Sequence, residues 1–221
     1  TTGNLYSYLD RHVDDKHPFI ELILERNPFT GFKINETKAI SNGTFRSMVT
    51  LYLKQGSVNI PITLEKTGDK WLIQSLPTVV HLPAAIPITD DETGKPGKEL
   101  LLDVEGHHIL CTNTLPADMI HNLTPSDITL VENQLVDIRP LKPIKLSKVM
   151  AVSRSQSFIE DKLLGKIPVA DNIPVYRMQD NTPTYIGDMA VMVGSTGSTL
   201  YQDDHGTVRA VIARDPLVPE D

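Results

Sequence analysis

Residues 148–213 read KVMAVSRSQSFIEDKLLGKIPVADNIPVYRMQDNTPTYIGDMAVMVGSTGSTLYQDDHGTVRAVIA. Short runs rich in Val and Ile alternate in this segment with polar turns that carry Gly, Asp, Asn and Pro. This pattern is typical of a small, twisted antiparallel sheet or barrel. Because the segment contains no coherent catalytic motif, the sequence indicates an envelope or scaffold module rather than an enzyme.

The first third of the chain combines helical and extended patterns. Two short helices are predicted, over residues 4–15 and 17–26, because apolar residues recur there at helical spacing and Pro18 suits a first helical turn. Extended runs follow, and they are residues 31–40, 44–54, 58–64 and 70–75. The Asn42-Gly43 and Gly68-Asp69 pairs between runs favour tight hairpin turns. Helices followed by a curved antiparallel sheet predict an α+β unit.

Proline and glycine positions divide the chain into two units. Four prolines and the loop TDDETGKPG fall within residues 77–97, which predicts a linker over residues 79–99. The α+β unit would then occupy residues 1–78. A β-rich, barrel-like unit would occupy residues 100–221, with a hairpin closed at Glu132-Asn133.

Composition excludes several classes of protein. The 221 residues carry a formal net charge of -7, which is the wrong sign for a general nucleic-acid binder. A single cysteine, Cys111, forms no internal disulfide. No apolar run approaches the roughly 20 residues that span a bilayer. Because the chain starts without an initiator methionine, we expect a membrane anchor or export signal to precede it.

Residues 65–77, EKTGDKWLIQSLP, resemble the last hairpin of NTF2-like (cystatin-like) domains. The resemblance covers roughly residues 1–78 and implies a sheet that curves around a helix. It supplies the alternative function, which is a small-ligand or enzymatic pocket with Asp10, Asp14 or Glu21 as its acids.

A second resemblance covers residues 146–214. GKIP at 165–168, VYRM at 175–178, the turn from Gly187 to Gly194 and HGTVRAVI at 205–212 are similar to the region that precedes the catalytic domain of stage II sporulation protein D (SpoIID/LytB, amidase-enhancer) proteins of Gram-positive bacteria. The resemblance implies a membrane-anchored protein that faces the cell wall. It also implies that any peptidoglycan-cleaving activity belongs to a following domain, so no catalytic residue is assigned in this chain.

Candidate binding residues are aromatic and arginine side chains in the last third, which are well suited to contact a sugar or a peptide. They are Tyr176, Arg177, Tyr185, Tyr201 and Arg209. No cofactor or metal site is predicted. His107 and His108 would point to opposite faces of a strand, and Asp203 to Gly206 reads as a hairpin turn.

The sequence therefore predicts a non-catalytic, extracytoplasmic region of a cell-envelope or sporulation protein. It would bind a protein partner or a cell-wall polymer, or position a following peptidoglycan-acting domain. No nucleic-acid partner is expected, and membrane contact is expected only through a segment outside this chain. A region that only dimerises, through exposed strand edges, is the third reading.

Overall fold

The computed structural model describes residues 17–90, 93–153, 157–180, 182–188 and 196–213. The predicted helix over residues 4–15 lies outside them. The predicted second helix forms as α1 (Pro18–Glu21), which continues as one π-helical turn, Leu22–Arg26. Pro18 occupies the first turn, where its missing N–H is not needed.

A four-stranded antiparallel sheet follows the helix, and we call it the first sheet. Its strands, in spatial as well as chain order, are β1 (Phe29–Ser41), β2 (Thr44–Leu53), β3 (Ser57–Thr67) and β4 (Lys70–Ser75). The predicted turns close its hairpins, with Gly43 and Gly68 at positive φ. The helix packs on β2 and β3, where Val49, Leu51 and Ile60 are buried.

A closed barrel occupies the middle of the chain. Its strands are β5 (Val79–Ile88), β6 (Glu99–Val104), β7 (His107–Asn113), β8 (Ser126–Val131) and β9 (Gln134–Pro140), with a 3-10 turn at Ala117–Met119. They close in the order β5-β6-β7-β9-β8, which requires a parallel β7–β9 pair. Leucine and isoleucine side chains and Cys111 fill the interior.

The last part of the chain forms two sheets. One has the order β10-β16-β17-β14-β15, and the other has the order β11-β12-β13. Their strands are β10 (Lys142–Lys145), β11 (Val149–Ser153), β12 (Phe158–Asp161), β13 (Gly165–Pro168), β14 (Pro174–Gln179), β15 (Thr182–Asp188), β16 (Thr199–Gln202) and β17 (Val208–Ala213). Both sheets contribute to one core that contains Val149, Ile159, Val175 and Val211.

The first sheet is fixed to the barrel by polar contacts as well as by apolar packing. Asn27 is buried, and its Nδ2 donates to the carbonyl oxygens of Gln55 at 2.7 Å and Val136 at 2.9 Å. The Gln134 side chain exchanges two hydrogen bonds with the backbone of Asn59. Since buried polar groups are costly to leave unpaired, these bonds specify one docking geometry.

The predicted α+β fold class is wrong. The structure is 63% strand and 7% helical, and it is not an NTF2-like fold with N-terminal helices. The physical reason is the short helical run: among the described residues, the nine from Pro18 to Arg26 are the helical cover of the first sheet, and Val131 and Val136 of the barrel share the same core. Most of the remaining apolar surface is buried by strands that pack on strands.

The predicted linker and the predicted position of the barrel also need correction. Residues 79–88 are not a linker, because they form β5 and pair with both β6 and β8. A closed β-barrel is present, but residues 79–140 build it rather than the last third of the chain. The predicted hairpin at Glu132-Asn133 is confirmed, since both residues adopt positive φ between β8 and β9.

Candidate binding surface

The three tyrosines predicted to bind lie on one face of the five-stranded sheet. Tyr176 pairs with Tyr185 on β15 and with Ile212 on β17, while Tyr201 pairs with Ala210. This face packs against the barrel, where it meets Ala84 and Ile86. The tyrosines therefore line an internal junction between this sheet and the barrel.

Tyr176 is the central residue of that junction. It is fully buried, and its hydroxyl accepts a hydrogen bond from the Glu105 N–H at 2.8 Å. Burial, together with the nearby Asp103 carboxylate, raises the pKa of the Tyr176 phenol above its ordinary value. Its ring meets Tyr185 edge to face at 5.8 Å. Tyr176 therefore ties the β6–β7 hairpin to the five-stranded sheet.

The two predicted arginines lie apart from each other. Arg209 bridges two carboxylates, Asp127 of the barrel at 4.0 Å and Asp203 at 3.8 Å. Arg177 lies on the opposite face from Tyr176, and among the described residues its buried Nε has no hydrogen-bond partner. Binding of a ligand by Tyr176, Tyr185, Tyr201, Arg177 or Arg209 stays a prediction.

The structure describes the surroundings of some of the histidines and acidic residues that were considered as metal ligands or pocket acids. Among the residues that the structure describes, no group of three or more His, Cys, Asp or Glu could hold a metal ion. His108 Nε2 lies 3.2 Å from the buried Asp103 carboxylate. Glu21 pairs with Arg26 at 2.9 Å, whereas Asp10 and Asp14 fall outside the described residues.

An exposed apolar surface lies on the helix-facing side of the first sheet. Strand register defines it, because residues that pair across strands share a face. One row across the sheet consists of Ile34 of β1, Val49 of β2 and Ile60 of β3. A second row, further along the strands, consists of Phe45 of β2, Leu64 of β3 and Ile73 of β4. We call it the first-sheet apolar surface. Its exposed members are Phe32, Ile34 and Trp71, and its half-buried members are Phe45, Leu64 and Ile73.

The helix covers only part of this face. Val49 and Ile60 are buried beneath it, but Phe32 is 61%, Ile34 55% and Trp71 41% exposed. The Trp71 ring packs edge to face on Phe45 at 5.1 Å, which holds the indole in place without enclosing it. Exposed apolar side chains that share one face of a sheet can mark an interaction site, so this face is the strongest candidate for binding.

The edge of the first sheet adds a second feature to this surface. β1 is an edge strand, and eleven of its thirteen residues are exposed, while Phe29 and Gly31 are half-buried. An unpaired edge offers backbone N–H and C=O groups to an extended segment of another chain. Lys33 and Lys38 place charges on the edge, which limits indiscriminate pairing.

Sequence reasoning missed this surface although its residues were within predicted strands. Tryptophan is highly buried on average, which favours a core position for Trp71, but this side chain is 41% exposed. The sequence predicted helices over residues 4–15 and 17–26, and it gave no sign of how much of the sheet they would cover.

No helix within the described parts of the chain is long and apolar enough to cross a membrane. The sequence matches no protein-family model and no curated protein.

Proposed function

We propose that the chain is a non-catalytic, extracytoplasmic module of a bacterial cell-envelope protein, and that it binds and positions a protein partner through the first-sheet apolar surface. The observation that carries the binding role is the exposure of Phe32 and Ile34 on β1 and of Trp71 on β4, the two edge strands of a sheet that is hydrogen-bonded to the barrel. The envelope location rests on the resemblance of residues 146–214 to the sporulation proteins.

Burial of this surface by a partner would contribute usefully to affinity. Full burial of a large apolar side chain is worth roughly 1.5–3 kcal/mol, so completing the burial of three half-exposed side chains gives about 3 kcal/mol. The sheet needs no rearrangement to present them, because β2 and β3 are held by the helix on one side and Asn27 fixes the base of the sheet. A preformed surface binds with less ordering cost.

A protein fits this surface better than a cell-wall polymer does. The exposed side chains are aliphatic as well as aromatic, and the adjacent β1 edge offers main-chain hydrogen bonds to an extended peptide. A polysaccharide site would instead surround its aromatic rings with polar groups that bind hydroxyls.

Site-specific photocrosslinking tests the proposal. The photoreactive residue p-benzoylphenylalanine would replace Trp71 in one variant and Tyr52 in a matched control. Tyr52 is 43% exposed, close to the 41% of Trp71, but it lies on the opposite face of the same sheet. We expect envelope-protein crosslinks from position 71 and none from position 52. The partner protein found by crosslinking should then be purified. Its Kd for the wild-type chain should be at least tenfold lower than its Kd for an Ile34→Ser variant.

Two results would overturn the proposal. Equal crosslinking from positions 71 and 52 would mean that the apolar face is not the binding surface. Salt-resistant retention on insoluble peptidoglycan that is lost in Ile34→Ser would show that the partner is the polymer. Protease accessibility of the chain in intact cells tests the extracytoplasmic location separately.

A further inference from the structure

Two leucines stand exposed at the tip of the β12–β13 hairpin. Leu163 is 78% and Leu164 50% exposed, and they are adjacent in the turn between Asp161 and Gly165. Gly165 adopts a φ of +74, which suits glycine at this position. We call residues 162–166 the leucine tip.

A buried carboxylate shapes the leucine tip. Asp161 is 2% exposed, and its Oδ1 accepts hydrogen bonds from the Leu163 N–H at 2.9 Å and the Leu164 N–H at 3.0 Å. Its Oδ2 accepts from the N–H groups of Ser147 and Lys148. Burial alone would raise the pKa of Asp161, but these hydrogen bonds hold it well below its usual range. The two leucines are therefore presented on an ordered turn.

Lysines surround the two leucines. Lys148, Lys162 and Lys166 are all exposed, and the Lys162 N–H donates to the Lys148 carbonyl at 2.9 Å, which brings these two residues together. Lys166 lies over the Phe158 ring at 4.6 Å from its centroid. Glu160 pairs with Lys166 across the hairpin and is half-buried. With Glu160 and Asp161 counted against Lys148, Lys162 and Lys166, the tip and its base carry a formal charge of +1, although the whole chain carries a net charge of -7.

We infer that the leucine tip is a contact site for an anionic lipid surface. Exposed leucines that can enter the boundary between headgroups and acyl chains, with lysines around them, are the chemistry of interfacial membrane binding. Lysine stems lie along the apolar layer while their ammonium groups stay with the phosphates. Two leucines with three lysines, partly offset by Glu160 and Asp161, give weak and reversible contact, which orients a module rather than anchoring it. This inference stands apart from the proposed function, because the first-sheet apolar surface has no part in it.

Vesicle co-sedimentation tests the inference with the whole chain. The vesicles are phosphatidylcholine alone or phosphatidylcholine with about one-third phosphatidylglycerol, which supplies the anionic charge. A Leu163→Ser/Leu164→Ser variant is compared with a control, Val80→Ser/Leu110→Ser, whose two residues are exposed on the barrel. We expect wild type and control to bind anionic vesicles at least tenfold better than neutral ones at low salt. The tip variant should bind anionic vesicles at least tenfold more weakly than wild type.

A second readout does not depend on the stability of the double variant. Cys111 is buried, so a Leu163→Cys variant can be labelled at the tip with a polarity-sensitive dye. Blue-shifted emission with anionic vesicles is the expected result. Unchanged emission, or vesicle binding that is equal in the tip variant and wild type, would overturn the inference. Partner crosslinking from position 71 would be unaffected by either result.

Discussion

Replacement of Asp161 by Asn should destabilise the protein substantially. The carboxylate accepts backbone hydrogen bonds on both oxygens, from Ser147 and Lys148 on one and from Leu163 and Leu164 on the other. An amide keeps only one acceptor oxygen. Whichever way Asn is oriented, two backbone N–H groups then face an NH₂ group.

The size of the effect follows from those two groups. A buried donor left without a partner costs roughly 1–3 kcal/mol. Because these turns lie near the surface, water reaches part of the site, and we expect a total near the lower end, about 2–4 kcal/mol. For a chain of this size that corresponds to about 5–15 °C in Tm. Thermal unfolding at pH 7, followed by circular dichroism, measures the change in Tm. Asp204→Asn is the control, because Asp204 is exposed and pairs with the exposed Lys142 at 2.9 Å.

The pH dependence provides an independent check. The folded pKa of Asp161 is depressed, so its contribution is fully present above the unfolded pKa of about 3.9 and is lost as pH falls toward the folded value. The difference in Tm between wild type and Asp161→Asn should therefore shrink below about pH 4. A Tm difference under 1 °C at pH 7, or a difference that stays constant from pH 6 to pH 2.5, would refute the reasoning.

Three further predictions concern single positions. Gly56→Ala should lower the free energy of unfolding by at least about 2 kcal/mol more than Gly68→Ala. Both glycines have positive φ, but a Cβ at Gly56 would lie 2.2 Å from the Thr114 carbonyl oxygen, whereas Gly68 has open space. Equal urea midpoints for the two variants would contradict this. Asp137→Asn should raise Tm at pH 7 by a few degrees and leave Tm unchanged below about pH 4. Burial raises the pKa of Asp137, so folding disfavours the charged form of its carboxyl group. A lower Tm at pH 7 would show that the charge is stabilising. Cys111 should resist a thiol reagent at pH 8 until the protein unfolds, since burial raises its pKa to about 12 and leaves a thiolate fraction near 10⁻⁴; rapid labelling of the native chain would exclude the barrel interior as its location.

Local chemistry made parts of the fold predictable from the sequence. The turns at Asn42-Gly43 and Glu132-Asn133 close hairpins because Gly43, Glu132 and Asn133 adopt the positive φ that such turns require. Strands between such turns then pair with their neighbours, as β1 to β4 do. The helix at Pro18 was predictable for the same reason, since it depends on residues close together in the chain.

The prolines of β5 show why the barrel was placed wrongly. Pro83 falls at the register shift between Leu82 and Ala85, where the ladder is interrupted and the Asp127 carboxylate accepts the Ala84 N–H at 3.1 Å. Pro87 lies in the part of β5 that pairs with β6 after pairing with β8 has ended. Both positions tolerate a missing N–H, but sequence alone does not show that a distant carboxylate completes the strand.

The candidate sites show a more general limit. Alternation along β14 correctly separates Tyr176 from Arg177, yet it does not say which face meets another layer; the barrel buries the tyrosine face. The first sheet shows the opposite outcome. Alternation along its strands places Ile34 and Trp71 on the apolar face, but the helix is too short to cover them, so both side chains stay exposed. Exposure depends on what covers a face, which is a property of the whole arrangement. For this chain, a binding surface is therefore best sought where the covering elements end, at the outer half of the first sheet.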